Sequence, residues 1–145
     1  MAALSAALAA ALLEKLTLAP RDRRRARAIR QSCLALIERD ALVFSRVIQA
    51  TRTSPHVVAQ RLKHATHIPC QIVRYARAVH EACRTAQREI KPQFRSDLRC
   101  AMALAHAADV SGRALIETNL AWLNDSAYAK RIRQQLGSAP RHHGR

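Results

Sequence analysis

The stretch CLALIERDALVFSRVIQA, residues 33–50, decides the fold. Its apolar residues recur at helical spacing, with none of the strict alternation that a half-buried strand shows. At about 100° per residue, Cys33, Ile37, Phe44, Val47 and Ile48 share a face, and Glu38, Arg39 and Arg46 point the other way. Asp40 falls among the apolar set. A lone carboxylate turned inward is costly unless something pairs with it or protonates it. Arg30 also falls near the stripe, but it lies about 15 Å away along the same helix and cannot be the partner within one chain. Asp40 is therefore either half of a buried ion pair or a candidate general acid/base.

Working outward, the same periodicity predicts helices over 2–18, 22–52, 55–90, 96–124 and 126–136. Pro20 is expected to end the first, Ser54 with Pro55 to cap and open the third, and Ser96 to cap the fourth. Pro69 removes a backbone hydrogen bond inside the third and predicts a kink there. In the fourth, Ala101, Ala105, Ala108 and Gly112 form a small-residue stripe that lets another helix approach closely, within the bundle or across a symmetric dimer interface. Asp97 stands at the start of this helix, where an acid suits the helix dipole, and Asn119 near its end. With three glycines, no repeats and no linker, the expectation is an all-α, up-and-down bundle of about five helices. Two or three are long, one is kinked at Pro69, and a single domain over 1–136 precedes a disordered basic tail at 137–145.

The net charge of +15 favours anionic partners or reflects arginines on solvated faces. The densest cluster, RDRRRARAIR at 21–30, splays over most of a helix circumference. Phe44, Tyr75, Phe94, Trp122 and Tyr128 form no stacking platform, and no helix-turn-helix, zinc-finger or RNA-module signature occurs, so nucleic acid is the lesser partner. Cys33, Cys70, Cys83 and Cys100 sit inside helical patterns without C-x-x-C pairs, which suits buried, reduced thiols in a cytoplasmic protein. The opening MAALSAALAAALL lacks a basic n-region and runs into Glu14-Lys15, so it reads as a core helix, too short to span a bilayer. His64, His67 and Cys70 have i, i+3, i+6 spacing but no fourth ligand, so no metal is expected. Nucleophile elbows, phosphate-binding glycine loops and nucleotide fingerprints are absent.

Four stretches together resemble the cyclodeaminase/cyclohydrolase family, which comprises formimidoyltetrahydrofolate cyclodeaminase and methenyltetrahydrofolate cyclohydrolase of the same fold. LSAALAAALLEKLTL is similar to its first helix, and ERDALVFSRVIQATR to its segment with an acid-Asp-Ala-x-x-Phe core. ATHIPCQIVRYA is similar to its proline-kinked helix, and RSDLRCAMALAHAADVSGRALIETNLAWLND to its Ser-Asp-x-x-x-Ala helix, with the Asn-x-x-x-Asn-Leu ending. The order is kept from Leu4 to Leu136. One departure is plain: family members carry a Pro-Gly-Gly-Gly-Ser loop before the first helix, of which this chain shows only Ser5, preceded by MAAL.

The resemblance implies a dimeric folate one-carbon enzyme with no tightly bound cofactor, its substrate being a tetrahydrofolate derivative. Cyclodeamination expels ammonia from a 5-formimino group as a neighbouring nitrogen closes onto it, giving 5,10-methenyltetrahydrofolate; cyclohydrolysis adds water to that bridge. Residue by residue, it implies Asp40 and Asp97 as the catalytic acids, with Ser5 and Asn119 at the pocket, and Arg21 among the arginines that would hold the folate's glutamate tail. The alternative, from a different class, is a non-catalytic basic helical module that binds nucleic acid or a protein partner.

Overall fold

A computed structural model describes residues 1–17 and 19–137, and every regular element among them is helical. The helices are α1 (Ala2–Leu16), α2 (Pro20–Ala50), α3 (Pro55–Ala86), α4 (Arg95–Leu123) and α5 (Ser126–Gly137); a 3-10 turn, Pro92–Phe94, leads into α4. The tail expected to be disordered lies outside the described residues, apart from Gly137, which closes α5.

The local chemistry explains most boundaries and corrects some. Ser54 accepts from the Val57 amide and Pro55 opens α3, as the sequence suggests. Pro20 begins α2 rather than merely ending α1, which stops at Leu16 with the Thr17 hydroxyl donating to the Leu13 carbonyl at 2.8 Å. Ser96 is not a cap: α4 starts at Arg95, with Phe94 as its N-cap and no side-chain cap bond. At the far end of α4, Asn124 takes the left-handed conformation (φ 51°), and Asp125 then accepts from the Tyr128 amide at 2.9 Å to start α5.

The five helices run up and down, and α1 packs against α2, α3 and α4 together. Its composition is the reason this is possible. Ala2, Ala3, Ala6, Ala7, Ala9 and Ala10 are all buried, and a methyl-only surface lets three neighbours approach on three sides. The stripe on α4 works in the same way. Ala101, Ala105, Ala108 and Gly112 are buried within this chain, so a dimer contact through them is ruled out. A Cβ at Gly112 would stand 2.7 Å from Val73 Cγ2 and 3.4 Å from the Pro69 carbonyl oxygen. Only glycine allows α4 to lie this close to α3 beside its proline.

A second apolar cluster lies under α5, where Tyr128, Ile132 and Leu136 cover Cys70, Val73, Ile116 and Leu120. Ion pairs hold this cover down. Lys63 meets Asp125 at 2.8 Å, Arg133 meets Glu117, and Arg77 donates to both Asp109 and the Leu136 carbonyl. No helix among the described residues is long and apolar enough to cross a membrane.

Candidate functional site

The buried stripe of α2 is Ala26, Ile29, Cys33, Leu36, Val43, Val47 and Ala50. Steps of three and four residues connect its members except between Leu36 and Val43, where Asp40 occupies the missing place. The core-facing sector is thus turned from the one read off the sequence. Cys33 and Val47 are inside, but Ile37, Phe44 and Ile48 are exposed, Phe44 to 54%. Asp40 is exposed as well, although its neighbours along the stripe are not.

The geometry of α1 accounts for this. Glu14 accepts from Arg27 at 2.7 Å and Arg30 at 3.0 Å, and Arg23 donates to the Thr17 carbonyl, so α1 runs antiparallel beside the first half of α2. The Arg30 that seemed a stray inner charge is therefore satisfied by α1, and those guanidiniums hold the Glu14 carboxyl below the usual carboxylate range, Arg27 foremost. By helical rise α2 is about 46 Å long and α1 about 22 Å. The Met1 ammonium is close enough to act on the Asp40 carboxyl, so the first turn of α1 lies beside that part of α2.

The first turn of α1 lies near Asp40, and the step between the two helices there forms a notch edged by the exposed Ile37, Phe44 and Ile48. Surface exposure and local crowding give different answers for this carboxyl. It can be reached by solvent from the open side, while the packed atoms behind it remove enough water to raise its pKa; the Met1 ammonium pulls the other way. Among the described residues no side chain forms an ion pair with it. A carboxylate that is reachable, partly desolvated and free of an arginine partner can take a proton and return it, and can stand against a cation. Glu14, Asp109, Glu117 and Asp125, by contrast, are each held by arginine or lysine.

The remaining sequence candidates divide between the two ends of the bundle. Ser5, half-buried, lies one turn into α1, where its amide donates to the Met1 carbonyl at 3.0 Å. Asn119, half-buried, lies near the C-terminus of α4. In an up-and-down bundle both belong to the same half as Asp40. Asp97 and Arg21 do not. Asp97 is exposed in the first turn of α4, about 33 Å along that helix from Asn119, and Arg21 is exposed in the first turn of α2, about 28 Å from Asp40. One chain does not bring either of them to the notch.

His64, His67 and Cys70 do not converge either. Both rings are exposed, edge to face with centroids 6.4 Å apart, while Cys70 is buried under α5. No group of three potential metal ligands occurs among the described residues. Cys33 and Cys83 are buried thiols whose pKa is pushed up to about 11 by desolvation, whereas Cys100 is exposed, contrary to the expectation of four interior thiols.

What periodicity missed was the exposed rim formed by Ile37, Phe44 and Ile48. Periodicity orders the residues around α2 but does not say which sector its neighbours cover.

Comparison with known proteins places this architecture. A search of curated proteins found no match. Among solved structures, a formiminotetrahydrofolate cyclodeaminase from Thermotoga maritima superimposes with a TM-score of 0.87, covering 93% of this chain and 75% of that one. The two share 19% sequence identity, so the likeness is one of fold. The sequence profile of the formiminotransferase-cyclodeaminase family matches residues 1–138. Nearly the whole described bundle lies within that match, and the chain belongs to the formiminotransferase-cyclodeaminase family.

Proposed function

We propose that this protein acts on a folate one-carbon unit at the notch beside the first turn of α1, with Asp40 moving the proton. The observation that carries this is the state of Asp40: reachable, desolvated from behind and without a side-chain ion-pair partner. In the cyclodeaminase reaction a substrate N–H attacks the formimino carbon, a C–N bond forms, and the bond to the departing nitrogen breaks with its electron pair. The attacking nitrogen must lose a proton and the departing one must gain it. One carboxylate between them can do both, and its charge then faces the amidinium-like methenyl product. The reverse need, activating water against that cation, is met by the same group, so hydrolysis of the methenyl bridge is the companion reaction. Phe44 and Ile48 offer a flat heteroaromatic ring an apolar wall.

The assembly that fits this reading is a homodimer, but not through α4. Leu4, Leu8, Leu34, Ile37, Phe44 and Ile48 are large, apolar and exposed, on α1 and the adjoining side of α2. A patch of this kind on a strongly cationic chain calls for a cover, and a second copy meeting it would close the notch beside Asp40.

The test is an absorbance assay for methenyltetrahydrofolate, run with 5-formiminotetrahydrofolate in one arm and the methenyl compound in the other. Appearance or loss of the chromophore, abolished by Asp40→Asn, is the expected result. Turnover undiminished in Asp40→Asn would remove Asp40 from the mechanism, and absence of folate binding would remove the substrate class.

A further inference from the structure

Away from the notch, at the junction of α3 and α4, a cavity of about 460 Å³ is lined by Gln87, Arg95, Leu98, Arg99 and Met102. Its volume falls in the range of small-molecule sites. Four of the lining residues stand at i, i+3, i+4 and i+7 on α4, one face of the helix, and Gln87, the C-cap of α3, faces them across the opening. The floor is apolar, with Leu98 fully buried and Met102 half-buried. The rim is cationic.

The charges on that rim have no partners. Arg27, Arg30, Arg77, Arg84, Arg113 and Arg133 each meet a carboxylate. Arg95 and Arg99 meet none among the described residues. Asp97, between them in sequence, projects from the opposite side of α4, and Glu89 in the preceding turn pairs with neither. The first turn of α4 has no side-chain cap, the Arg95 amide donating instead to the Pro92 carbonyl, and the N-terminal end of the helix dipole adds positive potential at the same mouth. An apolar floor rewards an apolar body; two forked, unpaired guanidiniums at the rim reward an oxyanion at one end of it.

We propose that this cavity is a second binding site, for an organic anion that carries one carboxylate or phosphate on an apolar body. It is distinct from the folate site proposed at Asp40 and does not depend on it, because its rim is in the first two turns of α4 while Asp40 lies on α2, about 28 Å along that helix from Arg21. Leu98 and Met102 would receive the body, Arg95 and Arg99 the anionic group, and Gln87 would limit how far the ligand extends.

Four probes separate the contributions when titrated into the full-length protein by amide-resolved NMR: 1-naphthyl phosphate, 1-naphthoate, 1-naphthol and inorganic phosphate. Both naphthyl anions should bind, with shifts centred on Gln87, Leu98 and Met102, and their ratio tells which anionic group the site prefers. The neutral naphthol and bare phosphate should each bind at least about tenfold more weakly, since each lacks half of the ligand. The Arg95→Gln/Arg99→Gln double variant should weaken naphthyl phosphate by about tenfold or more, and Met102→Trp should block it by filling the cavity. Asp40→Asn should bind the probe as the unmodified protein does, and the double arginine variant should keep whatever folate turnover is found, so failure at one site is not mistaken for failure at the other. Naphthol binding as tightly as the anions, shifts centred elsewhere, or affinity unmoved in the double arginine variant would each overturn the proposal.

Discussion

The two ends of this bundle treat a carboxylate in opposite ways. Asp97 lies in the first turn of α4, in water, where an uncapped helix start is glad of a negative charge. Asp40 lies beside the first turn of α1, crowded from behind, with the Met1 ammonium to offset its desolvation. The first acid lies in water, and the second is penalised for its charge by the atoms packed behind it. Residues that look equivalent in a sequence thus differ because one faces water in a first helical turn and the other has packed atoms behind it.

The largest expected effect tests this contrast directly. Asp40→Asn should lower folate turnover by about 100-fold or more, while the melting temperature holds or rises because a desolvated charge has been removed. Asp97→Asn should leave turnover within about twofold and lower stability slightly through the dipole. Equal losses in both variants, measured in the same absorbance assay, would erase the distinction.

Gly112 stands between the two ends and keeps α3 and α4 close. Gly112→Leu should destabilise the chain by about 1–3 kcal/mol or more, read from urea unfolding, because even a Cβ collides with Val73. A neutral result would mean that the close approach is not required.

At the notch end the apolar rim predicts an association that the solvated end cannot match. Phe44→Glu should turn a dimer into a monomer in sedimentation, whereas Arg99→Glu, at the far end, should not alter the assembly. A monomeric unmodified protein would sink the dimer.

Two pH effects are smaller. Asp40 has a raised pKa, so its native form holds the proton more readily than the unfolded chain. Stability should therefore fall as pH rises from the unfolded value up through the folded one, and turnover should appear over the same window as the base is freed. Its acid limb should sit above the ordinary aspartate range. Asp40→Asn should remove the stability change, as followed by thermal melts across pH 3–7. Glu14 has the opposite sign. Its lowered pKa gives stability that is full above the unfolded value and lost as pH falls through the folded one. Glu14→Gln should thus lower the melting temperature a little at neutral pH and not at all in strong acid.

Much of the fold was legible because local signals agreed with the tertiary outcome. Ser54 and Pro55 announced the start of α3, and the alanines of α1 announced a close-packed helix. Ser96 misled because a serine before a helical run resembles a cap, while the chain had already turned through Pro92–Phe94. Asp40 was found by its place in an apolar stripe, which needs no knowledge of the neighbours. Its exposure, and that of Phe44, depends on which sector of α2 the other helices cover. That is a tertiary fact, and periodicity within α2 alone does not contain it. Asp97 and Arg21 were grouped with Asp40 by resemblance, and only the antiparallel course of the helices separates them.

The alanine wall of α1 carries a consequence for how this site can change. Ala2, Ala3, Ala6 and Ala7 have no χ angles, so folding freezes no side-chain motion there and no alternative rotamer exists to reshape the surface. Any larger residue would push against three helices at once. The back of the notch is therefore almost closed to evolutionary tuning, and new specificity has to be written on the opposite lip, where Ile37, Phe44 and Ile48 are exposed.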